Sequence, residues 1–443
     1  MKQTVYAVST TEKDKWRGQE IHAAQGTGQA DILVTGEKLQ TIRGFGGCFN
    51  EMGYSALMDL PEADREHVIR ELFSEEGCNF TYCRMPIGAS DFAESWYSLN
   101  ETENDFSMEH FTIERDKKCL IPYIQMAKKQ QKNLQIFASP WSPPTWLKHP
   151  RAYNFGTLIQ EPAYRKAYAL YFKKFIEAYE KEGIHIQAVH IQNEPVSDQK
   201  FPSCVWTGEE LRDFIREDIG PLFAESGMDT EIWLGTLNCP YEDYGGWEWQ
   251  KTNFNRMANL VLRDPEASRY IRGISYQWGG KHALYDTRRA YPNVEIIQTE
   301  NECGDGNNSW GYMEYIFHLL WFYFEHGVTA YVYWNMVLKQ GGLSTWGWRQ
   351  NSLFCTDGDR LIYNPEFYLI KHVCHFVRPQ ASFMRIEGSF ANNTLCFRNP
   401  DGSTVVVVLN PLDTEEELRI CVSGEEWVFC AKPHSIQTIV IEK

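Results

Sequence analysis

EPAYRKAYALYFKKFIEAYEKEGIHIQAVHIQNEP, residues 161–195, contains the unit whose reading decides the fold. Pro162 opens a stretch of helical period in which Tyr164, Tyr168, Tyr171, Phe172 and Phe175 share one face, and Gly183 follows its end. Residues 186–192 then read as a buried strand, stopped by Asn193-Glu194-Pro195. The same alternation recurs on both sides. Further β-rich runs lie at residues 43–51, 80–88, 134–139, 231–236, 271–278, 294–299 and 328–336, and a second clear helical stretch covers 312–324. Eight such runs alternating with helices, most of them apolar enough for burial on both faces, predict an α/β fold of the (β/α)8 TIM barrel type rather than a doubly wound sheet. The glycines of run 43–51 make it the weakest on propensity. They are expected to let that strand cross under neighbouring loops.

Outside the barrel the chain is β-rich at both ends. Residues 30–42 read as a strand, and from Ala381 onward short alternating strands are separated by turns such as Asn-Pro-Asp-Gly at 399–402 and Ser-Gly at 423–424. Roughly 65 residues are too few for two full sheets, so the N-terminal strand is expected to join them. The predicted organisation is therefore N-terminal strands in 1–42, a barrel in 43–378 and C-terminal strands in 379–443, with the two ends building one fused antiparallel β-sandwich.

Composition narrows the partners. The 443 residues include 15 Trp, 23 Tyr and 25 Phe, which excludes a disordered or coiled-coil chain. A formal net charge of −16 disfavours nucleic acid and anionic lipid, both of which would repel it. No apolar run approaches the ~20 residues of a spanning helix, and the first twenty residues lack a signal-type apolar region, so no membrane insertion and a cytoplasmic location are expected. Twelve cysteines without metal-type pairing read as free thiols of a reducing compartment. His372, Cys374 and His375 lack the spacing of a metal site. No Walker lysine, HExxH or GxSxG occurs and Gly44-Phe45-Gly46-Gly47 lacks the third spaced glycine of a dinucleotide site, so neither cofactor nor metal is expected.

A barrel carries its working residues at the C-terminal ends of its strands. Two carboxylates occupy such ends, Glu194 after the fourth run and Glu300 after the seventh, on opposite sides of the mouth. Paired carboxyls beside an aromatic-lined pocket are what glycosidic bond cleavage requires, one to protonate the leaving oxygen and one to attack the anomeric carbon or activate water. Trp141, Trp278 and Trp334 lie at other strand ends, where indole rings can stack on sugar faces. Asp91 and Arg84 belong to the second strand and its loop, and Arg84 could keep a neighbouring carboxylate ionised. The alternative for Arg84 is a surface ion pair.

GFGGCFNE, RMPIGASDF, ASPWSPPTWLK, HIQNEP, TENECG and YWNMVL, in this order, resemble glycoside hydrolase family 30 over almost the whole chain. The resemblance implies a barrel with a fused β-sandwich and a retaining double displacement on a carbohydrate substrate. It implies Glu194 as acid/base, Glu300 as nucleophile, Asn193 as holder of the sugar 2-hydroxyl, Asp91, Trp141 and Trp334 around the terminal sugar, and Arg84 near the nucleophile. Glu302 competes with Glu300 for the nucleophile role. Where the family commonly has His-Trp-Tyr after the sixth strand, with the tyrosine donating to the nucleophile, this chain has Gln277-Trp278-Gly279; Tyr276 and Tyr241 are the candidate substitutes. Exo action on small β-glycosides is expected, the alternatives being an endo-β-1,6-type glucanase, a β-xylosidase or β-fucosidase, and a catalytically silent carbohydrate-binding protein.

Overall fold

The computed structural model describes residues 4–26, 28–239 and 255–442. Eight parallel strands form the barrel: Gly44–Cys48, Tyr82–Ile87, Gln135–Pro140, Ala188–His190, Glu231–Leu237, Ile271–Tyr276, Glu295–Gln298 and Ala330–Asn335, here called the first to the eighth. They are bonded in the order seventh down to first and then eighth. The seventh and eighth strands share no ladder. The gap is closed by the Thr329 N–H on the Ile296 carbonyl at 2.8 Å and the Val332 N–H on Gln298 Oε1 at 2.6 Å.

Several strands are shorter than their sequence runs, for local reasons. The first ends at Cys48 because the Asn50 side chain caps the helix Glu51–Asp59, accepting the Gly53 N–H at 2.7 Å. Its glycines lie against neighbouring strands rather than under loops: a Cβ on Gly46 would stand 1.9 Å from the Tyr82 carbonyl oxygen, and one on Gly47 2.4 Å from Met336 Cγ. The fourth strand keeps three residues, yet its chain continues to be held on both sides. The Asn193 N–H bonds the Pro140 carbonyl at 2.8 Å and the Glu194 N–H bonds that of Thr236 at 3.0 Å. Both long helices begin where their caps place them, Pro162–Lys181 on a helix-opening proline and Trp310–Glu325 on Ser309.

Inside the barrel, Tyr82, Phe137, Ala188, Trp233, Ile297, Ala330 and Val332 form one buried layer. Strand side chains alternate with a period of two, so Arg84, Ser139 and Thr299 lie on the same inward face one step nearer the mouth. That step is where the polar network begins.

A separate sheet of ten strands is built from both chain ends. Ser435–Glu442 pairs antiparallel with Thr4–Thr11, and Ser382–Glu387 with Ile32–Thr41; the pairing of Ile32–Thr41 with Glu416–Val422 is parallel. Thr4–Thr11, Arg17–Gln19 and His22–Ala23 join this sheet in addition to the strand expected at 30–42. Alternation within Thr404–Asn410 gives the sheet two apolar faces: Val405, Val407 and Leu409 extend the barrel core, while Val406 and Val408 belong to a second core. Among the described residues no helix is long and apolar enough to cross a membrane.

Candidate active site

The mouth of the barrel holds a cavity of about 170 Å³ lined by Asp91, Trp141, Asn193, Glu194, Ser197, Gln199, Phe201, Trp278, Glu300, Trp346, Trp348 and Gln350. Seven strand-end residues anticipated from sequence thus meet around one space or directly beneath it. Glu194 precedes Pro195 and takes φ 49°, a left-handed conformation that costs a non-glycine residue about 1–3 kcal/mol. Its carboxyl is held by Gln277 Nε2 on Oε1 at 3.2 Å and by the Ser197 hydroxyl on Oε2 at 2.9 Å.

Glu300 is more heavily solvated by protein donors. Its Oε2 accepts from Arg84 Nη1 at 2.8 Å and from Gln277 Nε2 at 3.2 Å, and its Oε1 from the Trp278 indole at 2.9 Å. One amide nitrogen therefore bonds both carboxyls, and those two oxygens can be no more than twice 3.2 Å apart. The amide cannot be reversed, because Gln277 Oε1 already accepts from Arg84 at 3.2 Å and from the Thr299 hydroxyl at 3.0 Å.

Arg84 is fully buried, which overturns the surface ion-pair alternative. Its guanidinium lies 4.4 Å from the Trp141 ring centroid and donates to Ser139, to Gln277, to Glu300 and, at 2.7 Å, to Asn193 Oδ1. Since Asn193 Oδ1 also accepts from Thr236 at 3.2 Å, the Asn193 amide turns its N–H groups toward the cavity.

Electrostatics divide the pair. Burial first, and the Glu300 charge second, push the Glu194 carboxyl up to about 7. Burial raises Glu300 as well, but Arg84, Trp278 and Gln277 all favour its ionised form. The ionised form is therefore favoured more at Glu300, which has a guanidinium beside it, than at Glu194. Asp91, 6% exposed and with Oδ1 unpartnered among the described residues, is raised well above its ordinary value by burial and then by Glu300.

Trp334 stacks on Trp141 with ring centroids 5.4 Å apart and stays outside the cavity wall, its indole N–H unpartnered. Glu302 is drawn away by Lys281 at 2.6 Å and the Tyr315 hydroxyl at 2.8 Å and does not line the cavity, whereas Glu300 does. Tyr276 is not the substitute sixth-strand donor, since its hydroxyl is bonded to Thr287 at 2.6 Å and Asn255 at 3.2 Å; Tyr241 lies outside the described residues. Sequence reasoning did not select Gln277, Ser197, Gln199, Phe201, Trp346, Trp348 or Gln350. Gln277 could have been found, as the residue two positions beyond Ser275 on an inward-facing strand; the others lie on loops without a period to read.

A barrel whose mouth brings two buried carboxyls together beneath aromatic walls fits a glycoside hydrolase. Residues 42–377 match the glycosyl hydrolase family 30 TIM-barrel domain, and residues 385–439 match the family 30 beta sandwich domain. The chain belongs to glycosyl hydrolase family 30. It is 30% identical to the lysosomal acid glucosylceramidase of Mus musculus over 449 residues, covering 93% of this chain and 84% of that protein. It is 28% identical to an endo-1,6-beta-D-glucanase of Neurospora crassa over 434 residues, covering 93% and 87%. The solved structure of an endo-beta1,6-glucanase is similar throughout, with a TM-score of 0.88, 26% identity and 99% of both chains covered.

Proposed function

We propose that this hydrolase cleaves β-glycosidic bonds with retention of configuration and acts in exo mode on small β-glycosides, a β-glucoside being the first substrate to assay. In this reading ionised Glu300 attacks the anomeric carbon while Glu194 delivers its proton to the departing oxygen. A glycosyl ester on Glu300 results. Glu194, now a carboxylate, takes a proton from water, which attacks the ester and releases the sugar. Asn193 donates to the 2-hydroxyl, Trp141 offers a ring face, Asp91 reaches a hydroxyl of the terminal sugar and Arg84 keeps Glu300 charged.

The observation that carries the reading is the single Gln277 amide nitrogen bonded at 3.2 Å to each carboxyl. A ceiling of twice 3.2 Å between those two oxygens is compatible with the ~5–5.5 Å separation of retaining enzymes and falls short of the ~6.5–9.5 Å at which inverting enzymes hold a water between the groups. Exo action is supported by the cavity of about 170 Å³, small beside the ~300–1,000 Å³ of sites for larger ligands. NMR of the sugar first released from an aryl β-glucoside tests retention: the β-anomer is expected, and the α-anomer overturns it. Likeness to endo-β1,6-glucanases favours a second reading, internal cleavage of a β1,6-glucan. Monosaccharide as the first product from that polymer supports exo action, whereas early oligosaccharides support the endo reading. Twelve free cysteines support the cytoplasm as the site of action.

A further inference from the structure

The indole of Trp278 was expected to meet sugar; its N–H instead lies 2.9 Å from Glu300 Oε1. We propose that Trp278 is a positioning residue of the hydrolysis, holding Oε1 of Glu300 as the oxygen that attacks the sugar. The proposal rests on the reading of Glu300 as nucleophile and adds to it which oxygen reacts and what aims it.

A carboxylate offers about two lone-pair directions per oxygen. On Oε2 both are taken, by Arg84 at 2.8 Å and Gln277 at 3.2 Å. Among the described residues Oε1 has Trp278 as its one donor and keeps a lone pair for the anomeric carbon. The three donors together stop the carboxylate from rotating.

The backbone after the sixth strand explains why this residue supplies the donor. Gln277 is extended at φ −149°, then Trp278 turns to φ 48° and opens the short 3-10 helix Trp278–Ala283. A left-handed conformation is costly for so bulky a side chain. Here it coincides with the indole facing Glu300 while its ring is braced by Trp348, centroids 5.8 Å apart. The next two positions are closed to side chains. A Cβ on Gly279 would stand 2.8 Å from the Asn238 carbonyl oxygen, and one on Gly280 2.2 Å from that of Leu237. A tyrosine at 279 would have to displace the chain beyond the fifth strand. With Tyr276 bonded elsewhere, the donor comes from 278. An indole N–H also does not titrate in the working range, so the bond persists from acid to neutral pH.

Trp278→Phe keeps a ring and deletes the donor. On an activated aryl β-glucoside the first, sugar-transferring step is expected to slow about tenfold to a hundredfold. The acid limb of kcat/KM should move to higher pH, because losing a donor disfavours ionised Glu300. Among the described residues the other titratable groups that feel Glu300, which are Arg84, Glu194, Asp91, Tyr323 and the Cys48 and Cys303 thiols, are unchanged in the variant. A residue that only stacks on sugar would raise KM and leave that limb in place. Trp278→His, which retains a ring N–H, should recover part of the rate. Trp278→Phe within threefold of wild type with an unmoved acid limb overturns the proposal. Should that variant unfold, the Trp278 indole resonance of the 15N-labelled wild-type enzyme decides: it must shift with the acid limb, and a resonance flat with pH overturns the proposal. Trapping with an activated 2-fluoro-β-glucoside and mapping the labelled peptide separates the two readings. A label elsewhere than Glu300 removes the nucleophile assignment, whereas labelled Glu300 with a silent Trp278→Phe removes only the role of Trp278.

Discussion

Glu194 and Glu300 are the same residue type at equivalent strand ends, and what separates them is donor count. Among the described residues Glu300 receives three side-chain donors, one of them a guanidinium, whereas Glu194 receives one amide and one hydroxyl. The acid form of Glu194, pushed up to about 7, is the one that can protonate a leaving group. Wild-type kcat/KM should therefore fall as pH rises through about 7, and Glu194→Gln should abolish that alkaline limb. The same variant should lose ~10²–10⁴-fold on an alkyl β-glucoside, and much less in the first step on an aryl glucoside with a good leaving group. An alkaline limb that survives in Glu194→Gln would assign the titration to another group, with Asp91 the nearest candidate.

At the scale of elements, the first strand shows why a weak propensity signal can mark a well-determined strand. Its sequence is Gly-Phe-Gly-Gly-Cys, poor for an isolated strand, yet every residue of Gly44–Cys48 is buried. The glycines let it pack against the second strand with carbonyl groups where a Cβ would be. Gly46→Ala should thus cost at least ~1–3 kcal/mol in urea unfolding, since a methyl 1.9 Å from the Tyr82 carbonyl oxygen forces backbone to move. Gly18→Ala, with nothing within 4 Å, is the control and should leave the midpoint close to wild type. Equal midpoints for the two variants would contradict this packing account.

Across the whole molecule, His372 links three distant parts of the chain. It sits on the helix Pro365–Cys374 that closes the barrel, and its ring nitrogens meet Thr438 at 2.8 Å and Thr10 at 2.8 Å, from strands at opposite ends of the sequence. This is the first histidine of the 372–375 cluster, and its ring is occupied by hydroxyls. Burial holds it neutral, lowering it to about 3. The unfolded chain takes up a proton below the ordinary value near 6.5 while the folded one does not, so this contribution is complete above pH 6.5 and is lost as pH falls toward 3. His190, buried in the barrel and lowered in the same direction, adds to the loss. The stability advantage of wild type over His372→Gln should shrink by up to ~1.4 kcal/mol for each pH unit below 6.5. A gap that stays constant between pH 7 and pH 5 would show that the histidine takes up its proton in the fold as readily as in the unfolded chain.

The fold could be read directly from the sequence because burial is periodic: parallel strands buried on both faces and helices with one apolar stripe leave spacing that local chemistry alone enforces. Glu194 and Glu300 were legible for a related reason, since a polar residue ending an apolar strand has to emerge at the barrel mouth. Tertiary structure decided the rest. Thr4–Thr11 forms a strand only because Ser435–Glu442 offers it an edge, and that partner is more than four hundred residues away. Which glutamate keeps the proton, which oxygen of Glu300 stays open, and whether Trp278 serves sugar or carboxylate all depend on donors converging from the second, sixth and seventh strands. No sequence period encodes that convergence, because it arises only when the barrel closes.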